Sequence, residues 1–119
     1  MTLSRWVPVV GWAGVILTAT SLPNVPAPPA AGSDKLAHLA MYAVLGFLWL
    51  RAATTGVVAP RTLILTLAAI AVFGAADEWH QQFVPDRSAD PAEWVADVTG
   101  AALGMGARVA FKLRRIKGT

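Results

Sequence analysis

Apolar residues fall in four long runs, separated by short polar or proline-rich stretches. The runs cover about 6–22 ("WVPVVGWAGVILTATSL"), 36–53 ("LAHLAMYAVLGFLWLRAA"), 62–83 (opening "TLILTLAAIAVFGAA") and 93–113 (including "WVADVTGAALGMGARVAF"). A helix needs about 20 residues to cross the hydrocarbon core of a bilayer, with a usual range of about 17–25. The pattern therefore predicts four membrane helices, the first two short enough to require tilt or snorkelling ends. The connectors carry the breaking signals. Residues 23–34, "PNVPAPPAAGSD", are proline-rich and end in Ser33 and Asp34, either of which suits the N-cap of the second helix. In "VPDRSADPAE", Asp90 and Pro91 have the cap and first-position chemistry of a helix start. The reading is an all-α, integral membrane four-helix bundle, a single domain over residues 1–119. The first run also has some features of a cleavable signal peptide, and cleavage would leave the orientation of the remaining spans unchanged.

Composition agrees with this pattern. Hydrophobic residues make up 55% of the chain and charged residues 14%, against about 25% charged in an ordinary soluble domain. So few charges do not coat a chain of 119 residues, because small bodies are mostly surface. Cysteine is absent, which excludes disulfides and thiolate chemistry. The net charge of +3 does not signal nucleic acid here, since the bases cluster at the ends of apolar runs, where they orient helices.

Four spans place both termini and the second connector on one side. That side holds Arg5, Arg51, Arg61, Arg108, Lys112, Arg114, Arg115 and Lys117; the other holds only Lys35 and Arg87. Positively charged loops stay in the cytoplasm, so both termini are expected there, in a multi-pass membrane protein. All seven acids (Asp34, Asp77, Glu78, Asp86, Asp90, Glu93 and Asp97) and both histidines, His38 and His80, map to the opposite end. Acids contribute little to topology, so this partition calls for another cause.

Helical spacing arranges these groups. Asp34, His38 and Tyr42 recur every four residues and share a face of the second helix. Glu78 shares a face of the third with Gln81 or Gln82, one turn from Gly74, and Glu93 and Asp97 share a face of the fourth, ahead of Gly100 and Gly104. Gly100 and Gly104 form a small-residue seam that admits another helix closely. Turning the three polar faces together makes an outward-facing polar pocket, with Arg87 the cation suited to pair with a carboxylate or phosphate. The expected binding set is Asp34, His38, Tyr42, Glu78, Gln81, Arg87, Glu93 and Asp97, with His38 and Glu78 the candidates for acid–base chemistry. His38 and Asp34 could pair for proton transfer, but the preferred reading of that pair is a hydrogen bond that glues helices. Glu78, Asp97 and His38 could hold a divalent metal with His80 or Asp77, but no fixed-spacing metal motif is present, so neither a metal nor a cofactor is expected. Trp6, Trp49, Trp79 and Trp94 fall near span ends and read as interfacial anchors; Trp12 is interior and has no evident role.

The segments "SDKLAHLAMYAVLG", "DEWHQQFVPDR" and "EWVADVTGAALG" together resemble the VanZ-like family of small bacterial membrane proteins, over about the whole chain to Gly104. The matching positions are Asp34, Lys35, His38, Tyr42, Glu78, Gln81, Phe83, Pro85, Arg87, Asp97 and Gly100. Two positions depart from the pattern: Asp86 stands where the family has glycine, and Glu93 where it has aspartate. The resemblance implies a place in the cell envelope and a link to glycopeptide resistance, chiefly to teicoplanin. It supplies neither a reaction nor an oligomeric state. Two functions follow: binding of a lipid or cell-wall precursor headgroup, or an enzyme acting on a lipid-linked or phosphorylated substrate at the outer leaflet.

Overall fold

A computed structural model of the chain describes residues 3–22, 33–85 and 89–117. Most of the proline-rich first connector, the Asp34 side chain, and Asp86 and Arg87 lie outside the described residues. The described chain forms four helices: α1 (Leu3–Ser21), α2 (Ser33–Ala53), α3 (Pro60–Gln81) and α4 (Pro91–Lys117). The protein is an all-α bundle.

Local chemistry sets the helix starts. Pro60 opens α3 without any side-chain cap from Ala59, and its missing N–H is no loss at a first position. Asp90 caps α4: its carboxylate accepts from the Ala92 N–H at 2.9 Å, and its carbonyl accepts from Glu93 N at 2.9 Å. α3 ends at Gln81, and a turn through Phe83 and Val84 follows, bonded to the His80 and Gln81 carbonyls. α4 runs four residues past the sequence estimate at its C-terminal end, to Lys117.

Three helices, over Leu3–Ser21, Lys35–Ala53 and Pro60–Gln81, are long and apolar enough to cross a membrane. α4, with 27 residues, is the longest helix but falls outside that class. Glu93 and Asp97 in its first turns and Arg108, Lys112, Arg114, Arg115 and Lys117 towards its end dilute its apolar character.

α2 and α4 make the most extensive contact in the bundle. A Cβ on Gly100 would strike the Leu39 backbone, one on Gly104 the Ala43 backbone, and one on Gly46 the Ala101 backbone. The small-residue seam of α4 is therefore filled from within, by α2. α1 packs on α2 and α3 and, among the described residues, not on α4. Val9, Ile16, Tyr42, Leu45, Ala52, Ile70 and Ala101 form the buried apolar core. Trp12 finds a role there, donating from Nε1 to the Met41 carbonyl at 2.8 Å and tying α1 to α2.

The outer surface carries the apolar load. Val7, Val10, Val44, Ile64, Leu65, Val72 and Leu103 are exposed, whereas Thr20, His38, Asp77, Glu78, Gln81, Glu93 and Asp97 are buried. A soluble protein has the reverse arrangement. Lipid tails facing the apolar exterior account for it, and polar groups then turn inward to find partners. The molecule extends 50 Å along its longest axis, enough for a bilayer of about 40–45 Å including headgroups.

Charge divides along that axis. At one end Arg5 donates from Nη2 to the Arg51 carbonyl at 2.6 Å and reaches the Thr54 carbonyl at 3.4 Å. Arg5 thereby satisfies carbonyls that the end of α2 leaves unpaired. Lys112 donates to the Gly56 carbonyl, and the Arg108 guanidinium lies 5.7 Å from the centre of the Phe47 ring. The buried acids gather at the other end.

Candidate functional site

The acidic end is built from the last turns of α1 and α3 and the first turns of α2 and α4. His38 and Tyr42 stand one turn apart on α2, both buried. Asp77, Glu78 and Gln81 come from α3 and Glu93 and Asp97 from α4, and all five are buried.

Two linked clusters result. In the first, His38 Nδ1 lies 2.8 Å from Asp97 Oδ1, and His38 Nε2 lies 3.6 Å from Glu93 Oε2. Glu78 sits beside them, accepting from Gln81 Nε2 at 3.2 Å and from the Asp90 backbone N–H at 2.9 Å. In the second, Asp77 accepts from Thr20 Oγ1 at 2.7 Å and from Tyr42 Oη at 3.1 Å. α1 reaches the site through Thr20. Lys35 at the rim pairs with Asp90 at 3.4 Å, both side chains substantially exposed; an exposed pair of this kind contributes little stability.

The structure thus brings together six of the eight residues expected from the sequence: His38, Tyr42, Glu78, Gln81, Glu93 and Asp97. Asp34 and Arg87 lie outside the described side chains. Among the described residues His38 has Asp97 as its hydrogen-bonded carboxylate partner, across the α2–α4 contact, while the expected pairing with Asp34 falls on a side chain outside the described residues. Asp77, which stands outside the expected binding set, and Thr20, which sequence reasoning passed over, complete the cluster. Asp77 had a signal, as the acid adjacent to Glu78; Thr20 had none, since a threonine near the end of an apolar run is unremarked. Gln82 and His80 are exposed and outside the cluster. Trp79 stacks edge-on against Phe83 with ring centres 5.2 Å apart, both exposed at this end, as interfacial aromatics do. Trp94 behaves differently from a free anchor: its indole N–H donates to the Ala71 carbonyl of α3 at 2.9 Å.

Chemically, the site is a dense set of acceptors. Asp77, Glu78, Glu93 and Asp97 supply four buried carboxylates, and His38 is the one cationic or neutral base buried among them in the described residues. Asp97 is 0% exposed, yet its Oδ2 has no hydrogen-bond partner among the described residues. A carboxylate can only accept, so when Asp97 is ionised the Nδ1 of His38 carries the proton and donates it. The imidazole is thereby oriented as a general base or a ligand through Nε2. His38, Glu78 and Glu93 each bring a ligand atom within 4.8 Å of the other two. The grooves along the helix flanks are of another kind. One of about 430 Å³ between α3 and α4, lined by Leu63, Ile64, Leu67, Ala102, Met105, Gly106 and Val109, is apolar and lies away from the acidic end.

The sequence model of the family described as VanZ/LLP1 matches residues 3–112. No curated protein and no solved structure matches the chain.

Proposed function

The chain belongs to the VanZ/LLP1 family, and from that premise we propose that it acts at the outer face of the bacterial cytoplasmic membrane, binding the polar headgroup of a lipid or cell-wall precursor at its acidic end. In this reading all four helices span the bilayer and both termini are cytoplasmic. The basic end, with Arg5, Arg51, Arg108 and Lys112, faces the cytosol, where positively charged segments remain. The acidic end then opens outward.

One observation carries the proposal: four carboxylates and an imidazole are buried together at a single end of a bundle whose exterior is apolar. An aspartate at the centre of a membrane helix costs about 2.5–3.5 kcal/mol on insertion scales, and ionisable groups nearer a helix end cost less but still seek partners inside the bundle. Helix gluing accounts for one or two such groups; a concentrated set at one end is more than gluing requires. A cluster of acceptors suits the hydroxyl and ammonium donors of a headgroup. Lys35 at the rim, and Arg87 in the adjacent connector, suit its phosphate. The family's association with teicoplanin resistance fits a protein that engages wall precursors or the antibiotic itself.

A second reading is favoured by the 2.8 Å contact between His38 and Asp97. A carboxylate-oriented imidazole beside Glu78 is an acid–base arrangement, and it would serve an enzyme acting on a lipid-linked or phosphorylated substrate in the outer leaflet. Native mass spectrometry of the purified protein separates these readings. Binding predicts a co-purifying lipid or precursor that is lost in Glu78→Gln and Arg87→Ala at unchanged protein level. An enzyme predicts that Glu78→Gln retains the bound species and loses only its conversion. A wild-type protein free of any such species would refute the binding function.

A further inference from the structure

We propose that His38, Glu78 and Glu93 form a binding site for a divalent transition-metal ion such as Zn2+ or Mn2+, with Asp97 as the residue that positions His38. The three prospective ligands come from three different helices and are all buried. They lie where no short sequence spacing would announce them.

The geometry around His38 carries the argument. Its Nδ1 is taken by Asp97 Oδ1 at 2.8 Å. With that proton placed, Nε2 presents a lone pair, and what faces it at 3.6 Å is another acceptor, Glu93 Oε2. This separation is too long for a hydrogen bond. An imidazole protonated on both nitrogens would pair with Glu93 as it stands, whereas a neutral His38 that donates from Nδ1 leaves Nε2 and Glu93 Oε2 placed to share a cation. Zinc binds imidazole nitrogen and carboxylate oxygen at about 2.0–2.2 Å, so tetrahedral ligands stand about 3.4 Å apart. The His38–Glu93 separation of 3.6 Å is close to that edge. Glu78 completes a face of the polyhedron after small side-chain adjustments, since the three ligand atoms lie within 4.8 Å of one another. It is already steadied by Gln81 and by the Asp90 N–H. Mixed nitrogen and oxygen donors suit zinc and manganese better than calcium.

Two further features agree. A metal-bound histidine commonly gives its other ring nitrogen to a carboxylate, and Asp97 occupies that place. Charge is also out of balance: Asp97 Oδ2 is buried without a hydrogen bond among the described residues, beside Glu78, Glu93 and Asp77. A dication compensates what one imidazole does not. Asp77, held by Thr20 and Tyr42, stays outside the coordination set. His80 is exposed and also excluded.

The test uses the full chain without a histidine tag, in detergent micelles, stripped with EDTA and titrated with Zn2+ alone against a zinc-binding chromophore. One equivalent is expected to bind. Glu93→Gln and His38→Gln should weaken binding at least tenfold, and Asp97→Asn by about 10–100-fold, as for other orienting carboxylates. His80→Ala should leave binding unchanged. Because core variants can fail to fold, the His80→Ala protein provides an independent readout with His38 as the only histidine. In its 15N-histidine spectrum, Zn2+ should shift Nε2 and leave Nδ1 protonated. Absence of saturable binding by the wild type, an unmoved Nε2, or loss of binding in His80→Ala would each overturn the site. The titration contains no lipid, so its failure leaves the headgroup reading standing, and loss of the co-purifying lipid leaves the metal site standing.

Discussion

At the residue scale, the buried Asp77 shows how this bundle manages charge. Its two oxygens are met by two hydroxyls, Thr20 from α1 and Tyr42 from α2. Interhelical hydrogen bonds in membrane proteins contribute about 0.6 kcal/mol on average and up to about 1.7 kcal/mol. Thr20→Val and Tyr42→Phe should each lower stability within that range. The double variant should lose more than the sum, because it leaves a buried carboxylate without partners. Unfolding in a denaturing detergent titration checks this; unchanged curves for both single variants would remove Asp77 as a structural hub. His38, Tyr42, Glu78, Gln81, Glu93 and Asp97 were legible in the sequence, because polar residues in apolar runs at helical spacing stand out. Thr20 and the His38–Asp97 pairing were not. Spacing fixes which side chains share a face of one helix, and says nothing of which partner that face meets.

At the element scale, α2 and α4 are held by glycines. Gly100 and Gly104 were visible as a seam, but its occupant was not, and Gly46 on the opposing helix carries no local mark. Gly104→Leu would drive a side chain into the Ala43 backbone, and overpacking of this kind costs at least about 1–3 kcal/mol. A Cβ added at Gly106, also on α4, would meet nothing within 4 Å. Gly106→Ala should therefore be neutral or stabilising by up to about 1 kcal/mol, from helix propensity alone. Thermal melts of the two variants in micelles make the comparison, and equal effects would contradict the packing described. Helix starts were readable where proline and aspartate mark them, as at Pro91. The extent of α4 was not, since its basic final turns carry no stop signal before Gly118.

At the scale of the whole molecule, an apolar exterior, a polar interior and a division of charge along the long axis point to one arrangement in the bilayer. The four runs and the basic asymmetry were legible because lipid imposes strong rules on length and charge. α4 is the exception. It takes part in the bundle through its contacts with α2 and α3, and its charges keep it from meeting the criteria of an apolar span. If the site engages a wall precursor or a glycopeptide, expression in a teicoplanin-susceptible host should raise the inhibitory concentration. Glu78→Gln at equal protein level should return it to baseline. A fully active Glu78→Gln protein would detach the resistance phenotype from this cluster.

The orientation of the acidic end can be measured directly because the chain lacks cysteine. Gln82→Cys, exposed at the acidic end, and Val57→Cys, 93% exposed at the basic end, are each treated with a membrane-impermeant thiol reagent in intact cells and after lysis. With the acidic end outward, Gln82→Cys reacts in intact cells and Val57→Cys only once the membrane is opened. The reverse pattern, or equal reactivity of the two in intact cells, would contradict an acidic site that faces away from the cytosol.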